Sequence, residues 1–127
     1  MTERVGHDWR ARLEAARLER AALVAAVEAA VAVGVLEFGA HGRPGQYAVL
    51  SRDPSEPGAW RFTTYDEAGF SGHATRSTQA AAVREMVEWG YAMPAAGTLD
   101  TLAAGDAWAR GMKAAEAVRR ENAARRL

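Results

Sequence analysis

Ser71 and His73 stand two residues apart in the stretch GFSGHATRST (69–78), with Asp66 just upstream. A serine nucleophile needs a base within hydrogen-bond reach and a third group to orient that base. Alternate residues of a strand face the same way but lie ~6.5–7 Å apart along the backbone. No G-x-S-x-G nucleophile elbow surrounds Ser71. The pair therefore reads as the polar rim of a hairpin. His41, in GAHGRPGQ (39–46), is the other candidate. Together with Arg43 and His73 it would supply the acid, base and phosphate clamp of a small hydrolase or nuclease. The same Gly-rich stretch fails as a phosphate-cradling loop, because no Lys-Ser/Thr pair ends it and no helix follows. His7, His41 and His73 show no i, i+4 ligand spacing and the chain has no cysteine, so neither a metal nor any other cofactor is expected.

The charges are balanced overall but unevenly placed. Residues 21–109 carry five basic and ten acidic side chains, net −5, whereas residues 110–127 carry six basic and two acidic, net +4. The acidic middle offers Asp53, Glu56, Asp66, Glu67, Glu85 and Glu88, with Trp60 and Trp89 as aromatic anchors, as contacts for a partner protein. The basic end offers Lys113, Arg119, Arg120, Arg125 and Arg126 for phosphate contacts, the alternative reading as a nucleic-acid accessory protein. Tyr47, Trp60, Phe62, Tyr65 and Phe70 invite comparison with aromatic RNA platforms, although the RNP pattern is missing.

These groups have to be positioned by a single domain of 127 residues, expected to be α+β. Asp8 suits the N-cap of a helix over 9–32, along which Trp9, Leu13, Ala16, Leu23, Val27 and Val31 form one apolar stripe. The charged first half is expected to ride on a surface and the apolar second half to enter the core. Residues 35–75 predict a three- or four-stranded antiparallel meander, with WRFTTYD (60–66) the best strand. Its return strand is expected to place Phe70, Gly72 and Ala74 on one face and Ser71, His73 and Thr75 on the other. Ser77 is expected to cap a helix over 78–89 whose buried face is Ala80, Val83, Met86 and Val87. Gly90 stands at the position of a helix-stopping glycine, with Tyr91 behind it to pack on Met86. YAMPAAG (91–97) reads as a connector, and a last helix spans 99–126. Gly105 and Gly111 in it either admit a close neighbour or mark a break. The run AALVAAVEAAVAVGVL (21–36) starts too late for a secretory signal, is too short to span a bilayer and contains Glu28, so a cytoplasmic protein is expected.

WRFTTYDEAGFSGHATRSTQAAAVREMVEWGY (60–91) resembles the small hairpin–helix domains of accessory proteins from phages and plasmids, through its GFSGH hairpin, its Ser/Thr cap and its Ala-rich helix ending in GY. The resemblance implies a small mobile-element protein that binds rather than catalyses, such as an anti-CRISPR-like inhibitor or regulator. It carries no catalytic residues with it. The two long Ala-rich helices lie outside it, and their apolar length exceeds what a small meander covers, so part of it is expected to meet the other helix within the chain, a second copy in a homodimer, or another protein.

Overall fold

The computed structural model describes the backbone of residues 2–125 and the side chains of residues 8–125. The elements follow one another as helix α1 (Thr2–Ala32), strands β1 (Glu37–Ala40), β2 (Tyr47–Arg52), β3 (Trp60–Asp66) and β4 (Gly69–Arg76), helix α2 (Gln79–Glu88), strand β5 (Tyr91–Pro94), and helices α3 (Thr98–Ala103) and α4 (Asp106–Arg125). The fold is α+β, and all pairs of its five-stranded sheet are antiparallel, in the order β4-β3-β2-β1-β5. The sheet thus has five strands where the sequence predicts three or four. Residues 91–94, read as a connector, lie beside β1 with Pro94 opposite Phe38. An edge strand tolerates a proline that has no N–H to give.

One sheet face carries Phe38, Ala48, Leu50 and Phe62, and α1 and α2 close over it with Val27, Ala82, Val83, Met86 and Val87. Ala82 replaces the expected Ala80, which is exposed. Helix α1 begins well before residue 9, so Asp8 is an interior residue rather than its N-cap; the Asp8 carbonyl accepts a bond from Arg12 Nε at 3.3 Å. Between residues 2 and 8 only Gly6 opposes a helix, at about 1 kcal/mol, and a single such cost does not stop it.

The cap of α2 is Thr78, not Ser77: its side chain accepts from the Ala81 N–H at 3.1 Å. At the other end Gly90, at φ +95°, takes the left-handed conformation and donates its N–H to Val87 O at 2.9 Å. Tyr91 follows, buried with Met86 in the core and leading directly into β5.

The expected single helix over 99–126 is two helices broken around Gly105. Gly111 serves close approach instead. A Cβ there would overlap the Ala68 carbonyl in the β3–β4 turn, lying 2.6 Å from its carbonyl carbon. That contact, with Trp108 stacked on Tyr65 at 5.6 Å, seats the start of α4 on the sheet face opposite α1 and α2.

Candidate functional site

The register of β3 and β4 shifts between Thr64 and Tyr65, with Tyr65 opposite Phe70 but Thr64 opposite Gly72. Ser71 is the extra residue of this bulge. Phe70 consequently lies on the His73 side, their rings 5.9 Å apart, and not with Gly72 and Ala74 as strict alternation predicts. The Ser71 hydroxyl pairs with that of Thr64 at 2.9 Å, while His73 pairs across with Thr63 and packs on Phe70. Asp66 accepts the Ala68 N–H at 2.8 Å and braces the hairpin turn. Ser71, His73 and Asp66 thus have separate partners. His41 follows β1 and donates its N–H to Gly90 O at 3.1 Å. His73 lies level with Glu37 across the sheet, so His41 is three strand spacings (~14 Å) to the side and four residues (~13 Å) further along, ~19 Å away. A two-histidine centre is therefore not assembled. Among the described residues no group of three or more His, Asp and Glu is placed to hold a metal ion.

The acidic candidates are spread over both ends of the sheet, each with structural work nearby. Asp53 closes the β2–β3 loop, accepting the N–H groups of Ser55 and Glu56 at 3.0 and 2.8 Å and the Thr75 hydroxyl at 3.2 Å. Desolvation pushes the Asp53 carboxyl upward. The Glu56 and Ser55 N–H groups, the Thr75 hydroxyl and the charge of Arg61 outweigh it and hold the pKa below its ordinary value. Glu56 stands in that same loop, and Trp60 begins β3 with Arg52 over its ring at 5.3 Å. Glu85 is bridged to Arg76, and Glu88 to Arg20 at 3.6 Å. Trp89 is C-cap of α2 and meets Phe62 edge-on at 4.7 Å. Asp66 and Glu67 lie at the far end of β3, six residue steps or ~20 Å from Trp60.

On α4, Arg120 is bridged to Glu116 at 2.7 Å and Arg125 to Glu121 at 2.9 Å. Lys113 and Arg119 are exposed and have no ion-pair partner among the described residues. Arg126 lies outside them. Beside the start of this helix sits a row of rings that composition alone did not assemble: Trp108 on Tyr65, Tyr65 against Phe70 at 6.5 Å, and Phe70 against His73. Phe70 is 61% exposed.

Four of the exposed large apolar side chains, Trp9, Leu13, Leu18 and Leu23, are on α1. Trp9, Leu13 and Ala16 continue, at helical spacing, the stripe that lower down is Val24, Val27 and Val31. Val27 is buried in the core, whereas Trp9 is 59% and Leu13 53% exposed, and every residue from Asp8 to Leu23 is open to solvent. Among the described residues the first half of α1 thus has no surface to ride on. The Arg20–Glu88 bridge marks where the helix leaves α2. Glu88 ends α2 next to Gly90, which bonds His41 beyond the Ala40 end of β1, so the free half of α1 projects past that end of the sheet. Helix α4 leaves at the same end, past Tyr65 and Ala68, and residues 112–125 are exposed throughout. Its seated face, Trp108 and Gly111, continues as Ala115 and Val118, the latter 56% exposed.

No family model matches the chain, and neither a curated protein nor a solved structure is similar to it. No helix among the described residues is long and apolar enough to cross a membrane.

Proposed function

We propose that the protein is a binding module that acts by occupying a partner protein, gripping it with the two helical arms that leave one end of the sheet. The observation that carries this is the α1 stripe. The same row of side chains that closes the core at Val27 stays open at Trp9 and Leu13. Fully burying a side chain of this kind is worth ~1.5–3 kcal/mol, so two of them are enough for a specific anchor. The acidic set is a weaker contact surface than its composition suggests, because Asp53, Asp66, Glu85 and Glu88 already satisfy groups of their own chain. An inhibitor of the kind mobile elements carry falls within this class, since occupancy needs no chemistry of its own.

The test is capture from host lysate, nuclease-treated, by the wild type and by Trp9→Ser/Leu13→Ser in parallel, with light scattering of each protein alone. One protein recovered in stoichiometric amount, and lost with the double variant, is the expected result; a dimer of the chain itself that the double variant abolishes, with nothing captured, would instead show the arms covering each other and overturn the reading. Capture that survives the double variant, or a complex that disappears with nuclease, overturns it.

A further inference from the structure

The α1 arm runs into a groove at the point where it leaves α2. There Arg17, Arg20, Ala21 and Val24 face Arg84 and Glu88 across a space of about 300 Å³. Ala21 and Val24 are its apolar lining, and Val24 packs on against the core. The open stripe of Trp9 and Leu13 leads into this groove along the same helix. A straight apolar row on one helix, ending between two, is the shape that receives another helix. From Trp9 to Ala21 the row is ~18 Å long, about three turns.

The two flanks of the stripe differ in charge. Arg10, Arg17 and Val24 recur every seven residues, so they lie in line on the side that the groove opens. Asp8, Arg12 and Glu19 lie on the other side. On the groove side four arginines, Arg10, Arg17, Arg20 and Arg84, stand against two carboxylates, Glu14 and Glu88. Arg17 is bridged to Glu14 at 2.7 Å and Arg20 to Glu88 at 3.6 Å, with all four side chains more than half exposed. Bridges so open to water are worth little and exchange readily for another carboxylate. Arg10 and Arg84 are exposed and have no ion-pair partner among the described residues. Glu28 stands a turn beyond Val24 and does not line the groove, and Glu85 is engaged with Arg76. The flank therefore favours carboxylates on whatever covers it. A second copy of α1 does not supply them. Laid antiparallel, the Arg10–Arg17 flank meets itself, and laid parallel, Arg17 meets Arg12.

We infer, on the reading that the arms are the contact, that the partner presents an amphipathic helix with an acidic flank. Its apolar side chains cover Trp9 and Leu13 and end in the groove, and its carboxylates face Arg10, Arg17 and Arg84. The probes are two labelled helical peptides of about 20 residues with one leucine seam, one carrying glutamates along a flank and its twin lysines at the same positions. Fluorescence anisotropy is expected to give the glutamate peptide a dissociation constant of order 10–100 µM and the lysine twin one about tenfold weaker, the size expected of three exposed ion pairs. Salt near 0.5 M is expected to bring the two together, at a Debye length of only about 4 Å. Arg17→Gln/Arg84→Gln is expected to remove most of the preference and Arg17→Glu/Arg84→Glu to reverse it, with amide spectra confirming that each variant is folded. Trp9→Ser/Leu13→Ser is expected to abolish binding of both peptides. Equal binding of the two by the wild type, lost with that double variant, overturns the acidic partner and leaves the arm as the contact. Binding that survives the double variant takes the arm itself out of the contact and overturns both readings. Binding of neither peptide by ~1 mM overturns the helical partner.

Discussion

Replacing Gly111 with alanine opposes two effects of known size. In an open helix the change stabilises by about 1 kcal/mol, since alanine has the higher helix propensity. Here the added methyl would overlap the Ala68 carbonyl, lying 2.6 Å from its carbonyl carbon and 3.0 Å from its Cα. The obstacle is backbone and belongs to a tight turn braced by Asp66, so it is α4 that has to move. Overpacking of this kind costs ~1–3 kcal/mol. Lifting α4 also separates Trp108 from Tyr65, stacked at 5.6 Å, and such a pair is worth ~0.5–1.5 kcal/mol beyond its buried area. The net expectation is a loss of about 1–3 kcal/mol in the seating of α4, with little change in the global unfolding midpoint, because α4 contributes nothing to the buried core. Amide hydrogen exchange along 106–112 and the Trp108 indole resonance report the seating directly. A Gly111→Ala protein whose α4 exchanges as slowly as the wild type, with Trp108 unmoved and stability raised by ~1 kcal/mol, would show that α4 is not seated on the hairpin turn.

Other expectations separate neighbouring causes. Thr78→Ala should cost ~1 kcal/mol in urea unfolding while Ser77→Ala stays within ~0.5, because only Thr78 satisfies an N–H of α2. Asp53, with its pKa below the ordinary 3.8, stabilises the fold fully above that value, and the contribution disappears as pH falls through the lower folded value. Unfolding followed from pH 5 downward should therefore show an acid-dependent loss in the wild type that Asp53→Asn lacks, and parallel curves would remove the loop role given to Asp53. Phe62→Ala should cost ~3–5 kcal/mol, since the ring is wholly buried and meets Trp89. Trp9→Ser should shift the thermal midpoint little while weakening partner capture, and a large loss of stability would mean that the α1 arm is covered within its own chain.

Residues in this chain that act through near neighbours were legible in the sequence. The alternation in WRFTTYD, the Ala-Val-Met-Val spacing of α2 and the glycine that stops it are set by one strand or one helical turn. Ser77 and Thr78 are not distinguished at that range, because two adjacent hydroxyls are equivalent as caps until the chain direction into the helix is fixed. Phe70 departs from strict alternation because a bulge exists only in the pairing of two strands, and one extra residue moves a ring to the other face. Strand β5 was illegible for a related reason, since four residues ending in proline become a strand only beside the open edge of β1.

The candidate site divides the same way. The types and order of the charged and aromatic residues were plain in the sequence. Which acids were already engaged depended on Arg20, Arg76 and the Thr75 hydroxyl arriving from elsewhere in the chain. The sequence by itself determined an α+β domain, its helix stop and the continuous apolar stripe of α1. Only the tertiary structure decided where that stripe stops being core, because burial depends on how far α2 reaches, and α2 ends at Glu88 opposite Arg20.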